Sequence, residues 1–385
     1  MRAGPIAGVR IVEFAGIGPA PYAAMLLADL GADIVRVERK DGIAITKQMG
    51  LDPGKDVANR GRAAVAVDLK SAEGVALVLE LITKADALIE GFRPGVMERL
   101  QLGPNVCLAR NSRLVYGRMT GWGQTGPLAA AAGHDINYIA LSGLLHTFAR
   151  AGERPVPPGN TLGDMGGGGL MHAFGIVCAL FEARATGKGQ VVDTAMFEGA
   201  ASLGNSLFVL MGMGLYDAEH PGTNFSDSGT HFYDVYETKD QRYVAVGAIE
   251  PQFYAALLRG LELDPAALPK QMDRKQWPEM KSKFSEIFRR KTRAEWESIF
   301  AGTDACVSPV LTPTEAAQHP HARARGTFRT DGGVLQPAPV PKFSRTPGEI
   351  SSPPQVPGEK SDATLLAWGF ATSQLAALRA AGTLL

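Results

Sequence analysis

Three side chains in this sequence have types and settings suited to moving a proton: His134 in GHDINYIALSGLL, Asp164 in GDMGGGG, and Glu250 in YVAVGAIEPQFY. Histidine is the side chain whose ordinary titration falls near neutrality, and a nearby carboxylate can exchange protons in the same reaction or support the imidazolium. Each also has a plainer reading. His134 opens an apolar, helix-like stretch, and its neighbour Asp135 suits a first helical turn, where carboxylates are favoured. Asp164 could be a helix N-cap. Glu250 precedes Pro251, a good first helical residue, and could be only a helix-start charge.

Asp164 is followed, after Met165, by four consecutive glycines, Gly166 to Gly169. Inside a helix each costs about 0.5–1 kcal/mol relative to alanine. Two returns are open from the sequence: free amides meeting an anion or a developing oxyanion, or close packing of this helix on another backbone. Of the basic residues Arg36, Arg39, Arg62, Lys70, Arg93 and Arg99, Arg39 and Lys70 sit just past strand-like segments, where α/β folds commonly hold phosphate. GWGQTGP (121–127) has the G-x-G-x-x-G spacing, but Pro127 and a loop follow where a helix should, so it is not a dinucleotide fingerprint. The chain carries no GxSxG elbow, P-loop or HExxH motif.

The elements that must place these residues alternate. VRIVEF, ADIVRVE, AAVAVDL, DALIEGF and RLVYGRMTG read as strands, with helices at PAPYAAMLLADLG and SAEGVALVLELITKA between them. Such alternation predicts an open parallel α/β sheet with right-handed crossovers and ligands at the strands' carboxyl ends. A long apolar helix follows the glycines, and then GKGQVVDTAMFEGAA reads as turn, strand and helix. Near residue 215 the texture changes to a hairpin (THFYDVYETKDQRYVAVGA) and short amphipathic helices. Residues 335–358 are proline-rich and read as an extended strap, and the tail as two short helices broken at Gly369. The expected division is 1–215 for the N-terminal part of a large domain, 216–325 for a small domain, and 326–385 for the strap and the rest of the large domain.

A chain of 385 residues suits two domains. Lys plus Arg and Asp plus Glu both number 39, so no excess of positive charge favours nucleic acid or an anionic membrane. Cys107, Cys178 and Cys306 are scattered and odd in number, which argues against a disulfide framework or a zinc site. The N-terminus lacks a signal-peptide core, no clean apolar run of about twenty residues stands out, and AAGTLL is no SKL-type address. A cytoplasmic protein is expected.

Taken together, AGHDINYIALSG, MTGWGQTGP, ERPVPP, GKGQVVD, VAVGAIEPQFY, PEMKSKF and DACVSPVLTP resemble the α-methylacyl-CoA racemases of the family III CoA-transferase superfamily, over nearly the whole chain. The resemblance implies a Rossmann-like large domain with a small α+β domain, in an interlocked homodimer whose sites lie between the large domain of one chain and the small domain of the other. It implies that His134 and Asp164 are the two acid/base residues and that Glu250 accompanies the histidine. Arg39, Lys70 and Arg99 would contact coenzyme A, Val67 would line the adenine pocket, and Gly133 and Tyr138 would surround the thioester. The Asp135 amide would bond the thioester oxygen. The reaction implied is epimerisation of a 2-methyl centre in branched-chain acyl-CoA esters of lipid metabolism, with no cofactor or metal and coenzyme A only as part of the substrate. Two alternatives are a CoA-transferase using Asp164 as nucleophile and a non-catalytic acyl-CoA-binding protein. One segment departs from the family pattern: NFSDSGTHFY (224–233) stands where the racemases read roughly NMLDGGAPFY, with Ser228, Thr230 and His231 replacing glycine, alanine and proline.

Overall fold

The computed structural model describes residues 3–40, 42, 50 and 52–385. The chain divides into two compact units, the first made of residues 1–142, 159–203 and 323–385, the second of 143–158 and 204–322.

In the first unit the short β-branched segments form strands β1 (Arg10–Phe14), β2 (Asp33–Arg39), β3 (Ala63–Val67), β4 (Ala87–Glu90), β5 (Val115–Thr120) and β6 (Val191–Ala195). They make one parallel sheet in the order β3-β2-β1-β4-β5-β6. The helices that follow these strands include α1 (Pro19–Asp29), α2 (Ala72–Thr83), α3 (Asp135–Leu141), α4 (Met171–Thr186) and, after β6, α5 (Met196–Leu203). Residues of β1 alternate between the sheet's two faces. Val9 and Ile11 pack with α1 and α4, while Val12 and Phe14 pack with α2 and the C-terminal tail through Leu365, Trp368 and Leu384. Both faces are therefore covered, as a parallel sheet requires. The tail is the expected pair of short helices, Ser361–Ala367 and Thr372–Ala380, with Gly369 at φ 84° between them.

One charged link holds the returning chain. Arg60 reaches both carboxylate oxygens of Asp29 at the end of α1, at 3.1 and 2.6 Å, and Gln336 Oε1 at 2.7 Å. Arg60 and Asp29 are buried, and burial raises the Asp29 pKa despite Arg60. The carboxylate thus depends on its guanidinium.

The second unit has an antiparallel sheet, β7 (Tyr233–Glu237), β8 (Tyr243–Gly247) and β9 (Val307–Pro309), in that order. Its core is aromatic, with Phe232, Tyr236, Trp277, Phe284, Phe288 and Trp296 all buried. The expected hairpin forms, and β9 adds a third strand from within DACVSPVLTP.

Three expectations differ from the structure. Residues 143–158 and 204–215 group with the second unit, not with the large domain. Arg150 bonds Asp234 at 3.1 Å, His146 Nε2 lies 2.9 Å from the Ala218 carbonyl, and Gly222 lies so near the Arg150–Ala151 backbone that a Cβ there would be 2.3 Å from Ala151 N. The strap begins with a hairpin, Phe328–Asp331 against Val334–Pro337, before it becomes irregular. Finally, the continuous helical stretch Thr161–Thr186 is long and apolar enough to cross a membrane by length and composition. Its glycines and buried Ile176, Ala179 and Leu180 supply that apolar character, and they pack into the first unit.

Removing one partner of a buried ion pair strands the other, at about 3–5 kcal/mol. Arg60→Ala should lower the unfolding free energy in urea by that amount. A loss below about 1 kcal/mol, the worth of a surface pair, would show that the link is not structural.

Candidate active site

The sheet order reverses between β1 and β4, because the chain runs outward from β1 through β2 to β3 and then from β4 through β5 to β6. In open α/β sheets the crevice past the carboxyl ends at such a point is the usual ligand site. A cleft of about 540 Å³ lies there. Its walls come from Ile17–Ala20 after β1, Gly91–Pro94 after β4 and Met119–Trp122 at the end of β5, together with Gly133, His134, Tyr138, Asn160 and Asp164.

His134 is the N-cap of α3, and its backbone N–H donates to Asn137 Oδ1 at 3.0 Å. The histidine begins a helix as the plain reading held, yet it is exposed on the cleft wall. Tyr138, one turn on, turns back to donate its hydroxyl to the Gly133 carbonyl at 2.5 Å and meets Trp122 edge-to-face at 4.8 Å. A Cβ on Gly121 would lie 2.3 Å from the Tyr138 ring, so the first glycine of GWGQTGP is there to admit this tyrosine.

Asp164 stands inside a helix rather than at its start. Residues Thr161–Leu170 are π-helical, running directly into α4. Such segments are rare and concentrate at functional sites. The Asp164 backbone N–H donates to Asp135 Oδ1 at 2.7 Å. Asp135 is 5 % exposed, and among the described residues its Oδ2 is buried with no hydrogen-bond partner. Burial chiefly, then the negative charge of Asp135, raises the Asp164 pKa from 3.8 to about 6, with His134 pulling the other way. His134 and Asp164 therefore share one electrostatic environment. The glycine run resolves to packing: a Cβ on Gly199 of α5 would sit 1.8 Å from the Gly167 carbonyl oxygen, and one on Gly169 would sit 2.6 Å from Tyr22 of α1.

The remaining predicted residues divide. Arg39 and Val67 are register partners at the carboxyl ends of β2 and β3, with Lys70 just beyond. Arg39 and Lys70 are exposed, whereas Val67 is 1 % exposed in the core and its backbone bridges Leu384. Arg99 ends the short helix Val96–Arg99 and is exposed. Among the described residues, none of these four lines the cleft. Glu250 belongs to the second unit, exposed at the N-cap of the helix Pro251–Gly260.

Sequence reasoning missed Asn160 and Trp122 as cleft residues and named Arg93 only among the basic residues, with no place in the site. Its position after β4, past the switch point, was the available signal for Arg93. Glu90, buried at the end of β4, accepts the Phe92 N–H at 2.7 Å and pairs with Arg118 at 3.0 Å, which fixes that wall. Burial raises its pKa to about 7. Among the described residues no group of three or more His, Cys, Asp or Glu is placed to hold a metal ion.

The model of CoA-transferase family III matches residues 6–361. The chain is 48 % identical to α-methylacyl-CoA racemase of Mus musculus over 371 residues, 96 % of this chain and 94 % of that one. It is 45 % identical to α-methylacyl-CoA racemase of Homo sapiens over the same length and shares. A CAIB/BAIF family protein from Brucella suis has the same fold, with a TM-score of 0.81 at 24 % identity, covering 95 % of this chain and all of that one.

A carboxyl whose folded pKa is raised favours the fold while protonated and loses that contribution as pH rises through the folded value. For Asp164 the window runs from about 4 to about 6. Relative to the parent, Asp164→Asn should therefore gain stability across that window and level off above it, read as the difference in urea midpoints. A difference flat with pH would mean that the carboxyl titrates normally.

Proposed function

The chain belongs to CoA-transferase family III, and from that membership, with racemases among its near relatives, we propose that it is an α-methylacyl-CoA racemase. The observation that carries this is the pairing of His134 with Asp164 on one cleft at the switch point of the sheet, each able to act on the other's charge.

The α-proton of a thioester is weakly acidic, and its removal leaves an enolate whose oxygen needs hydrogen-bond donors already in place. Inversion at that carbon needs a base on one face and an acid on the other. In one direction neutral His134 takes the proton while protonated Asp164 returns one to the opposite face, and in the reverse direction they exchange roles. A carboxyl with pKa near 6 suits this, because both of its protonation states are accessible near neutral pH. The amide of Asp135, the first residue of α3, is at the start of a helix, where the i−4 acceptor is missing, and we assign it to the thioester oxygen. Gly133 and Tyr138 shape the cleft beside it. Glu250 is the accompanying carboxylate, and Arg39, Lys70 and Arg99 hold the anionic coenzyme A portion, with Val67 backing the adenine.

The same reading makes the substrate a branched-chain acyl-CoA of fatty acid metabolism, with no separate cofactor; separately, the three scattered cysteines support a cytoplasmic setting. The racemase reading also makes the protein a homodimer. An exposed apolar stripe on α4 and the residue before it, Leu170, Phe174, Val177 and Phe181, supports association.

Proton NMR of a 2-methylacyl-CoA in D₂O tests the activity. Loss of the α-proton signal together with epimerisation is expected, with epimerisation slowed by about 10²-fold or more in His134→Ala, the range of one positioned acid/base group. No exchange, but transfer of CoA once a free carboxylate is added, would instead make Asp164 the nucleophile of a transferase.

A further inference from the structure

His231, in the segment that departs from the family pattern, is 1 % exposed within the second unit. Its ring stands edge-on to Phe232 and Phe284, with centroids 5.0 and 5.1 Å away, and its Nε2 lies 2.9 Å from Tyr254 Oη. Nδ1 is buried with no partner among the described residues. Burial, aided by Lys281, pushes the histidine pKa down to about 4, so the ring is neutral at physiological pH and carries one N–H. Nε2 and the Tyr254 hydroxyl share that one hydrogen bond, its donor set by which ring nitrogen carries the proton.

Tyr254 is one turn into the helix Pro251–Gly260, and its backbone N–H donates to the Glu250 carbonyl at 2.9 Å. Gln271 holds the approach to that helix, bonding the Ala248 and Ile249 carbonyls at 3.1 and 2.8 Å. The His231 end is equally fixed. Its carbonyl accepts the Tyr236 hydroxyl at 2.6 Å, and Asn224, 0 % exposed, ties the loop through Asp217 and Asp227 at 2.7 and 2.8 Å.

We propose that His231 is a positioning residue for Glu250: through the Tyr254 hydroxyl it fixes the first helical turn from which that carboxylate projects. This rests on Glu250 taking part in the racemase reaction proposed above.

The test measures epimerisation by the full chain carrying His231→Phe, Tyr254→Phe, His231→Gln, Glu250→Gln, or His231→Phe with Glu250→Gln. Tyr254→Phe removes one oxygen and keeps the test available should His231→Phe fail to fold. We expect both phenylalanine variants to lower kcat by roughly three- to tenfold, the worth of one hydrogen bond, with KM unchanged. His231→Gln, whose amide can donate or accept a hydrogen bond from a similar place, should restore most of the rate. In the Glu250→Gln background His231→Phe should cost nothing further, because residues acting through one another are non-additive. Unchanged kcat in the phenylalanine variants while Glu250→Gln is slow, or losses that multiply in the double variant, would overturn the inference alone. A fully active Glu250→Gln would remove the reading of Glu250 and the inference with it.

Discussion

The site depends on one hydrogen bond, the 2.7 Å contact from the Asp164 amide to the Asp135 carboxylate. Asp135 is joined by a peptide bond to His134, so the same short segment that presents the imidazole also holds the backbone of Asp164. Because that carboxylate is nearly enclosed, the bond is made in a low-dielectric setting, where a charge-assisted contact is stronger than in water. The same enclosure makes Asp135 a source of negative potential at Asp164. One residue thus fixes the position of Asp164 and adds to the rise in its pKa that burial chiefly causes.

Other features follow from the need to bring α3 and the 161–170 segment this close. Gly163 leaves room for the Asp135 side chain, since a Cβ there would lie 2.8 Å from Oδ1. Gly167 and Gly199 let the wide π-helical turns press against α5, and Gly169 does the same against α1. Helix α1 is in turn held at its far end by Arg60 and Asp29, so the returning C-terminal chain braces an element that contacts the site. Preorganisation of this kind matters because a displacement of about 1 Å in reacting groups can cost about 10²-fold in rate.

The sheet was legible because β-branched runs and amphipathic helices alternate with regular punctuation, and the switch point follows from that order. His134 stood out by residue type and Asp164 by its glycines. The role of those glycines was not legible, because packing and anion binding ask for the same residue and only the distance to Gly199 and Tyr22 separates them. Nor could the sequence distinguish a π-helix from an N-capped α-helix, since both begin with the same polar and small residues. The Asp135 side chain was read as a first-turn charge, and its partner twenty-nine positions away is a purely tertiary fact. Residues 143–158 join the second unit through Arg150, His146 and the backbone beside Gly222, contacts that leave no periodic trace in the sequence.

If His134 and Asp164 serve opposite faces of one carbon, stereospecific exchange separates their roles. Each pure epimer of a 2-methylacyl-CoA would be incubated in D₂O with His134→Gln and, separately, with Asp164→Asn. Each variant is expected to exchange the α-proton of a single epimer, with retention, and the two variants to choose opposite epimers. Exchange of both epimers by either variant would rule out one group on each face.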